Sequence, residues 1–294
     1  MSHDSSKHVK SSIDAAKQAV SSFRKFLKNT KAQDSSSLLK SLNQLKQRIL
    51  SLRTTDSITK NAVNCILFDV KPEYIGKAKH EITKRINYVT DHLNNSQEKI
   101  AEHGHKKVKK GMVVYVHDYS SAIINLLLKA KKQGTNFEVV TTEANPFLTG
   151  YSIATHLAKH NIPVTFFSDL AIRQALKRAD VVLLDADALA ENGKVYSEIG
   201  SELIADLAEK YDIPVYVCTD SWKISPSIVQ EIEGIRNLRP KEELWKNPPK
   251  GVTVLNYSYE KINPKLITGI ITEMGIYKPH YLISEVQRKY PWIK

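Results

Sequence analysis

Cysteine is scarce in this chain of 294 residues, at two positions. Cys65 falls in a helical pattern and Cys218 in the strand-like PVYVC, neither with a His or Cys nearby at metal-ligand spacing. A disulfide framework and a thiolate metal cage are therefore not expected, and both thiols read as small buried hydrophobes. No apolar run approaches the roughly 20 residues that span a bilayer, and the start, MSHDSSKHVKSS, lacks the apolar core of a secretory leader. The expected location is cytoplasmic, away from membranes. Also missing are GxGxxG, GxxxxGK followed by Ser or Thr, HExxH and CxxC. The usual phosphate-cradling loops and zinc-hydrolase signatures are thus absent, and no metal or other cofactor is expected.

The chain is 41% hydrophobic and 25% charged, which suits one large or two ordinary globular domains. Its net charge of +12 is unevenly placed. Residues 1–110 hold 22 Lys and Arg against 10 Asp and Glu, whereas 111–294 hold 21 of each, so the whole excess lies in the first third.

That first third has a helical period. Ile13, Ala16, Val20, Phe23 and Leu27 step along one face, and Leu38, Leu42, Leu45 and Ile49 follow the start signal Asp34-Ser35-Ser36-Ser37. Asp56-Ser57 opens a third segment through Ile58, Ala62, Cys65 and Ile66, and Pro72 suits the first turn of a long helix striped by Ile75, Ile82, Ile86, Val89 and Leu93. The expected unit is a helical bundle over 1–103. Its cationic surface is either a solvated outer face or a docking surface. A basic link over 104–111 follows, and His103 and His105, two apart, make a poor metal pair.

From Met112 the period changes. MVVYVHD, FEVVTTE, IPVTFFSD and DVVLLDAD are short apolar runs that end at Asp118, Glu143, Asp169 and Asp187, with helix-length amphipathic segments between them. Such alternation predicts a parallel sheet covered by helices on both faces, a Rossmann-like α/β domain over 112–294. Right-handed crossovers put all the strand C-termini on one edge, where open α/β sheets bind ligands. Asp118, Glu143, Asp169, Asp185 and Asp187 should crowd that rim. Beyond it, Ala190–Lys194 reads as an exposed turn, Leu203–Ala208 as a helix and IPVYVCTD as a strand. Residues 220–250 read as a surface excursion, VTVLNYS as a last strand, and Lys265–Thr272 and His280–Tyr290 as closing helices.

The stretches TTEANPFLTGYSIATHLAKHNIPVTFFSDLAI, ADVVLLDADALAENGKVYSEIGS, IPVYVCTDSWKISP and NYSYEKINPKLITGIITEMGIYKP resemble the family of translation initiation factor 2B α, β and δ subunits. That family also holds isomerases of ribose-1,5-bisphosphate and methylthioribose-1-phosphate. The resemblance covers about residues 105–294. It implies that the isomerases share a Cys after the first strand's His, an Arg before the Pro of Thr-Glu-x-Arg-Pro, an Asp in Gly-Ala-Asp, and an Asn-Lys pair before Ile-Gly-Thr. This chain keeps the His as His117 and the Asp as Asp187. It carries Asp118 for the Cys, Asn145 for the Arg, Asp185 for the Gly, and Ser197-Glu198 for Asn-Lys. An isomerase needs a group that cycles its proton near neutrality and cations around a bisphosphate, and these exchanges remove both.

Three functions stand open. The first, which those exchanges favour, is a non-enzymatic initiation factor 2B-like protein. The resemblance implies that it assembles into dimers or larger rings and binds a partner such as the initiation factor 2 α subunit through the basic bundle. The second is a sugar-phosphate isomerase with Asp187 and Asp118 as acid and base. The third is an RNA-associated module. The expected pocket rim is His117, Asp118, Glu143, Asn145, Asp185, Asp187 and Glu198.

Overall fold

The computed structural model describes residues 12–52, 56–71, 73–225, 229 and 237–293. Two compact units make up the chain, Met1–Ser96 with Gln287–Lys294, and Gln97–Val286. The last residues thus group with the helical unit, where the sequence reading had placed them in the α/β domain.

Four helices carry the first unit: α1 (Ser12–Asn29), α2 (Ser35–Leu52), α3 (Ser57–Leu67) and the first part of α4 (Ile75–Gly104). Their starts follow the capping chemistry. Asp34 accepts from Ser37 N at 2.8 Å, and Asp56 accepts from Thr59 N at 3.1 Å, so each carboxylate satisfies an otherwise orphaned first-turn donor. The apolar stripes close on one another, burying Ala16, Val20, Phe23, Leu38, Leu42, Ile58, Ile66, Ile82, Ile86 and Val89. Trp292 joins this unit, its ring 6.2 Å from Phe68, 6.0 Å from Tyr88 and 5.3 Å from Tyr290. Pro72 lies outside the described residues. Cys65, in α3, is free and buried, and burial pushes its thiol up to about 12.

The second unit begins inside α4. The segment read as a basic link is the end of that helix and one further turn of tight helix, His105–Lys107, with His105 and Val108 buried. A seven-stranded sheet follows in the order β10-β9-β7-β4-β1-β2-β3. Its strands are β1 (Val113–Val116), β2 (Glu138–Thr142), β3 (Val164–Phe167), β4 (Val181–Leu184), β7 (Val215–Cys218), β9 (Gly269–Thr272) and β10 (Gly275–Tyr277). All neighbours are parallel except β10 against β9. The connecting helices are α5 (Ser121–Lys132), α6 (Thr149–Lys159), α7 (Ile172–Leu176) and α8 (Ser201–Lys210), and α9 (Pro279–Lys289) closes the chain. β4, at the centre, is buried along its whole length, as both-face coverage requires. Cys218 is a buried, free residue of β7. No helix among the described residues is long and apolar enough to cross a membrane.

Two assignments change. VTVLNYS is not a strand. The strand is Tyr259–Ile262 (β8), in a small antiparallel sheet with β5 (Ala188–Leu189) and β6 (Val195–Glu198), a hairpin around the expected Ala190–Lys194 turn. Lys265–Thr272 is not a helix either. Pro264–Leu266 makes one tight turn, and Gly269–Thr272 is β9, hydrogen-bonded between β7 and β10. Its Gly-Ile-Ile-Thr is β-branched and fully buried, which a central strand tolerates better than a short helix.

Gly150 positions α6 over the end of β2. A Cβ there would stand 1.7 Å from the Thr142 carbonyl oxygen, so only glycine lets the helix approach this closely.

Candidate functional site at the sheet rim

The parallel strands deliver their C-terminal residues to one edge, as the alternation requires. β1 leads to His117 and Asp118, β2 to Glu143 and Asn145, β3 to Asp169, and β4 to Asp185 and Asp187. The hairpin strand β6 adds Ser197 and Glu198, which the topology of the large sheet alone would not place there.

The rim splits into two groups. In the first, Asp169 closes the loop after β2. Its carboxylate accepts from Ala144 N at 2.8 Å, Asn145 N at 2.9 Å and Asn145 Nδ2 at 2.9 Å, while the same amide donates to Glu143 at 3.2 Å. Burial works against its charge, yet the Asn145 and Ala144 donors hold Asp169 below the usual carboxylate range. This acid shapes a loop in which Ala144 and Leu148 have positive φ. Asn145, matched to an arginine in the isomerase pattern, is bound to two acids.

The second group is buried. Asp118 is 4% exposed and accepts from Ser197 Oγ at 3.0 Å, and Ser201 Oγ donates to Ser197 Oγ at 3.0 Å. His117 Nε2 lies 2.9 Å from the Ile199 carbonyl oxygen and 3.6 Å from Asp118 Oδ1. A carbonyl only accepts, so that nitrogen carries a proton. Lys223 Nζ reaches Asp185 at 3.3 and 3.4 Å and donates to the Ala186 carbonyl oxygen. Burial alone would lower the Lys223 ammonium, but Asp185 and Asp187 raise it above its ordinary value.

The acids respond to this crowding. Burial first, then Asp185 and Asp118, against the pull of Lys223, push the Asp187 carboxyl up to about 7. Burial, then Asp118, Asp187 and Asp185, push Glu198 up to about 10. Asp118 is raised by burial although His117 draws it down. Tyr259 is the register partner of Glu198 across β6 and β8, and Asp187 and then burial raise its phenol. Asp118 Oδ1 and Glu198 Oε2 are buried oxygens that no N–H or hydroxyl reaches, and the two carboxyls act on each other, Asp118 raising Glu198 and Glu198 holding Asp118 down. Two adjacent buried carboxyls do not both ionise, so the pair holds a proton, and the sense in which each acts on the other puts it on Glu198.

Chemically, the pocket combines a proton donor at Glu198, a group poised near neutrality at Asp187 and a buried ion pair. The sequence reading missed Lys223 and Tyr259. Lys223 follows Asp220, whose carboxylate accepts from Trp222 N at 2.9 Å and turns the chain inward, and this Asp-Ser-Trp-Lys run was its only signal. Tyr259 arrives on β8, which was not read as a strand.

The model of the initiation factor 2 subunit family matches residues 8–279. The chain is 31% identical over 276 residues to the ribose 1,5-bisphosphate isomerase of Pyrococcus furiosus, covering 90% of this chain and 84% of that protein. It is 28% identical over 222 residues to the translation initiation factor eIF2B subunit alpha of Dictyostelium discoideum, covering 72% and 69%. Among solved structures, the Pyrococcus horikoshii OT3 translation initiation factor eIF-2B superposes with a TM-score of 0.74 at 20% identity over 95% of each chain. The tetrameric eIF2B-beta2-delta2 complex from C. thermophilum gives 0.73 at 17% identity, over 96% of this chain and 90% of that one.

Proposed function

The chain belongs to the initiation factor 2 subunit family, and we propose that within it this protein is a non-enzymatic, initiation factor 2B-like binding subunit. The observation that carries this reading is the charge of the buried rim. Where the isomerase pattern has a thiol, an Arg and a Lys, this chain has Asp118, Asn145 and Glu198. Asn145 is engaged by Asp169 and Glu143, and the buried Lys223 by Asp185. At an effective dielectric near 20, each phosphate charge about 4 Å from an ionised carboxylate meets a repulsion on the order of 4 kcal/mol. A sugar bisphosphate therefore finds no counter-charge left unengaged at these positions.

The partner surface is the first unit. A cavity of about 280 Å³ lies between α1 and α4, lined by Arg24, Leu27, Lys28, Lys79, Thr83 and Ile86. Arg24 is oriented by Asn87 Oδ1 at 3.2 Å and Thr90 Oγ1 at 3.3 Å. Three cations around a small apolar floor suit an acidic protein segment, and the initiation factor 2 α subunit is the partner to test first. Reversing the exposed Lys25, Lys28 and Lys31 to Glu should slow association roughly 10-fold at low salt and less at high salt, because steering fields are screened within about a Debye length. The fold should be unaffected, since exposed helical charges contribute only tenths of a kcal/mol, roughly. An on-rate indifferent to both salt and the reversal would sink the docking assignment. Tight binding to any RNA with a steep salt slope would move the assignment to nucleic acid.

Self-association is the second part of the proposal. In the closing segment, Tyr257, Ile276 and Tyr281 are exposed, whereas Ile262 is buried in the small sheet and Trp292 packs in the helical unit. Leu244 and Trp245 of the excursion, and Leu255 just after it, are exposed as well. Aromatic and aliphatic side chains of this kind are enriched at interface cores. Light scattering at micromolar concentration should give at least a dimer's mass, and a monomer's mass would remove this part.

One observation favours the isomerase reading. A carboxyl held near 7 at Asp187 is suited to giving and taking a proton at neutral pH.

A further inference from the structure

Helix α6 and its C-cap carry a histidine pair that neither the rim nor the docking surface uses. His156 and His160 stand four apart, and their rings stack at 5.1 Å between centroids with planes 22° apart. Each Nδ1 is already engaged. His160 Nδ1 lies 2.9 Å from the His156 carbonyl oxygen, and His156 Nδ1 lies 2.8 Å from the hydroxyl of Tyr119, just past β1. A carbonyl oxygen only accepts, so His160 Nδ1 holds the proton and Nε2 of the neutral ring holds the lone pair. The Tyr119 hydroxyl both gives and accepts, so His156 reaches the same tautomer by donating to it. Neither Nε2 has a hydrogen-bond partner among the described residues.

We propose that His156 and His160 form a two-nitrogen site for a borderline first-row transition ion such as Zn²⁺, with Tyr119 as the positioning residue. Imidazole suits such ions, whereas Mg²⁺ and Ca²⁺ seek oxygen ligands. Two nitrogens on one tetrahedral ion at about 2.0–2.1 Å from the metal stand roughly 3.3 Å apart, which asks the exposed His160 ring to turn out of its stacked position toward the ion. Metal-bound histidines characteristically give their other ring N–H to a carbonyl or a similar acceptor, which is the arrangement already present at His160. The positive charge of Lys159, next to His160 in sequence, opposes the ion, and water completes the coordination.

The full chain should be titrated with Zn²⁺ alone at pH 7.5 against a chromophoric chelator, beside His156→Asn, His160→Asn and the double variant. Wild type should take one ion per chain that the double variant does not. Each single variant should bind at least about 10-fold more weakly, and Tyr119→Phe about 10-fold more weakly with its thermal midpoint unchanged, the size expected of an outer-shell partner. Mg²⁺ should show no such difference. Equal Zn²⁺ uptake by wild type and double variant would overturn the assignment, as would no uptake by wild type at about 100 μM free zinc.

Discussion

Glu198→Gln is expected to raise the thermal midpoint of this protein at pH 8 and to leave it nearly unchanged at pH 4. In the unfolded chain the Glu198 carboxyl ionises near its ordinary 4.5, whereas in the folded chain burial and the neighbouring Asp118, Asp187 and Asp185 hold its proton to about 10. The folded pKa is the raised one. The stability linked to this group is therefore complete below about pH 4.5 and drains away as pH climbs toward the folded value. By pH 8, about 3.5 units above the unfolded value, the loss is on the order of 5 kcal/mol, at about 1.4 kcal/mol per pH unit. Glutamine is close in shape, never ionises, and its amide supplies the donor that Asp118 takes from the protonated acid. At roughly 2–4 °C per kcal/mol, the variant should melt roughly 10 °C higher or more at pH 8. Asp187, with its carboxyl at about 7, adds the same sign over a lower window, so Asp187→Asn should flatten the profile between about pH 4 and 7. Thermal melts at pH 4, 6 and 8 would decide it. A Gln variant no more stable than wild type at pH 8 would show that Glu198 is ionised in the folded state.

Much of this was written in the order of the residues. Helix starts at Asp34 and Asp56 and the alternation of apolar runs with amphipathic helices fix four helices and five strands with short-range information alone. The rim follows, because a parallel sheet cannot put its strand ends anywhere else. What was not legible depends on longer-range contacts. The β5–β6 hairpin has strands of two and four residues, and its partner β8 reads Tyr-Glu-Lys-Ile, too polar to register as a strand until it pairs with β6. VTVLNYS alternates more cleanly but among the described residues makes only an isolated bridge, Tyr257 to Leu238. In Leu266, Ile267, Ile270 and Ile271 the spacing fits helix and buried strand alike, and only the slot between β7 and β10 decides.

The same limit operated at the site. Five acids on one rim were visible, yet their roles were not. Asp169 faces main-chain N–H groups and shapes a loop. Asp185 faces Lys223 and is neutralised by it. Asp118 and Glu198 face each other, 80 residues apart in sequence, and must share a proton. The exchange of one residue type for another in a motif gives the formal charge. The partner each carboxylate finds gives the charge it carries.

The largest expected change in ligand binding comes from Asp118→Cys, Asn145→Arg and Glu198→Lys combined. Wild type should neither bind nor isomerise ribose-1,5-bisphosphate, whereas the triple variant should bind it at least 100-fold more tightly, or about 2.7 kcal/mol. The three changes replace two buried acids by a thiol and an ammonium and add a guanidinium. Removing the Asp118–Glu198 pair deletes one negative charge and its shared proton, and the new ammonium enters beside Asp118's former position, where Ser197 and Ser201 offer hydroxyls. The contribution at position 145 should be the smallest, because Asp169 and Glu143, which already hold the Asn145 amide, would compete with phosphate for the guanidinium. Calorimetry on wild type, the triple variant and the Asp118→Cys, Glu198→Lys double variant separates these terms. If wild type turns the bisphosphate over and Asp187→Asn abolishes the turnover, the binding-subunit reading falls and the carboxyl poised near neutrality is the acid–base group of an isomerase. If wild type is silent and the variants gain affinity, the rim has the family's pocket geometry with its electrostatics reversed.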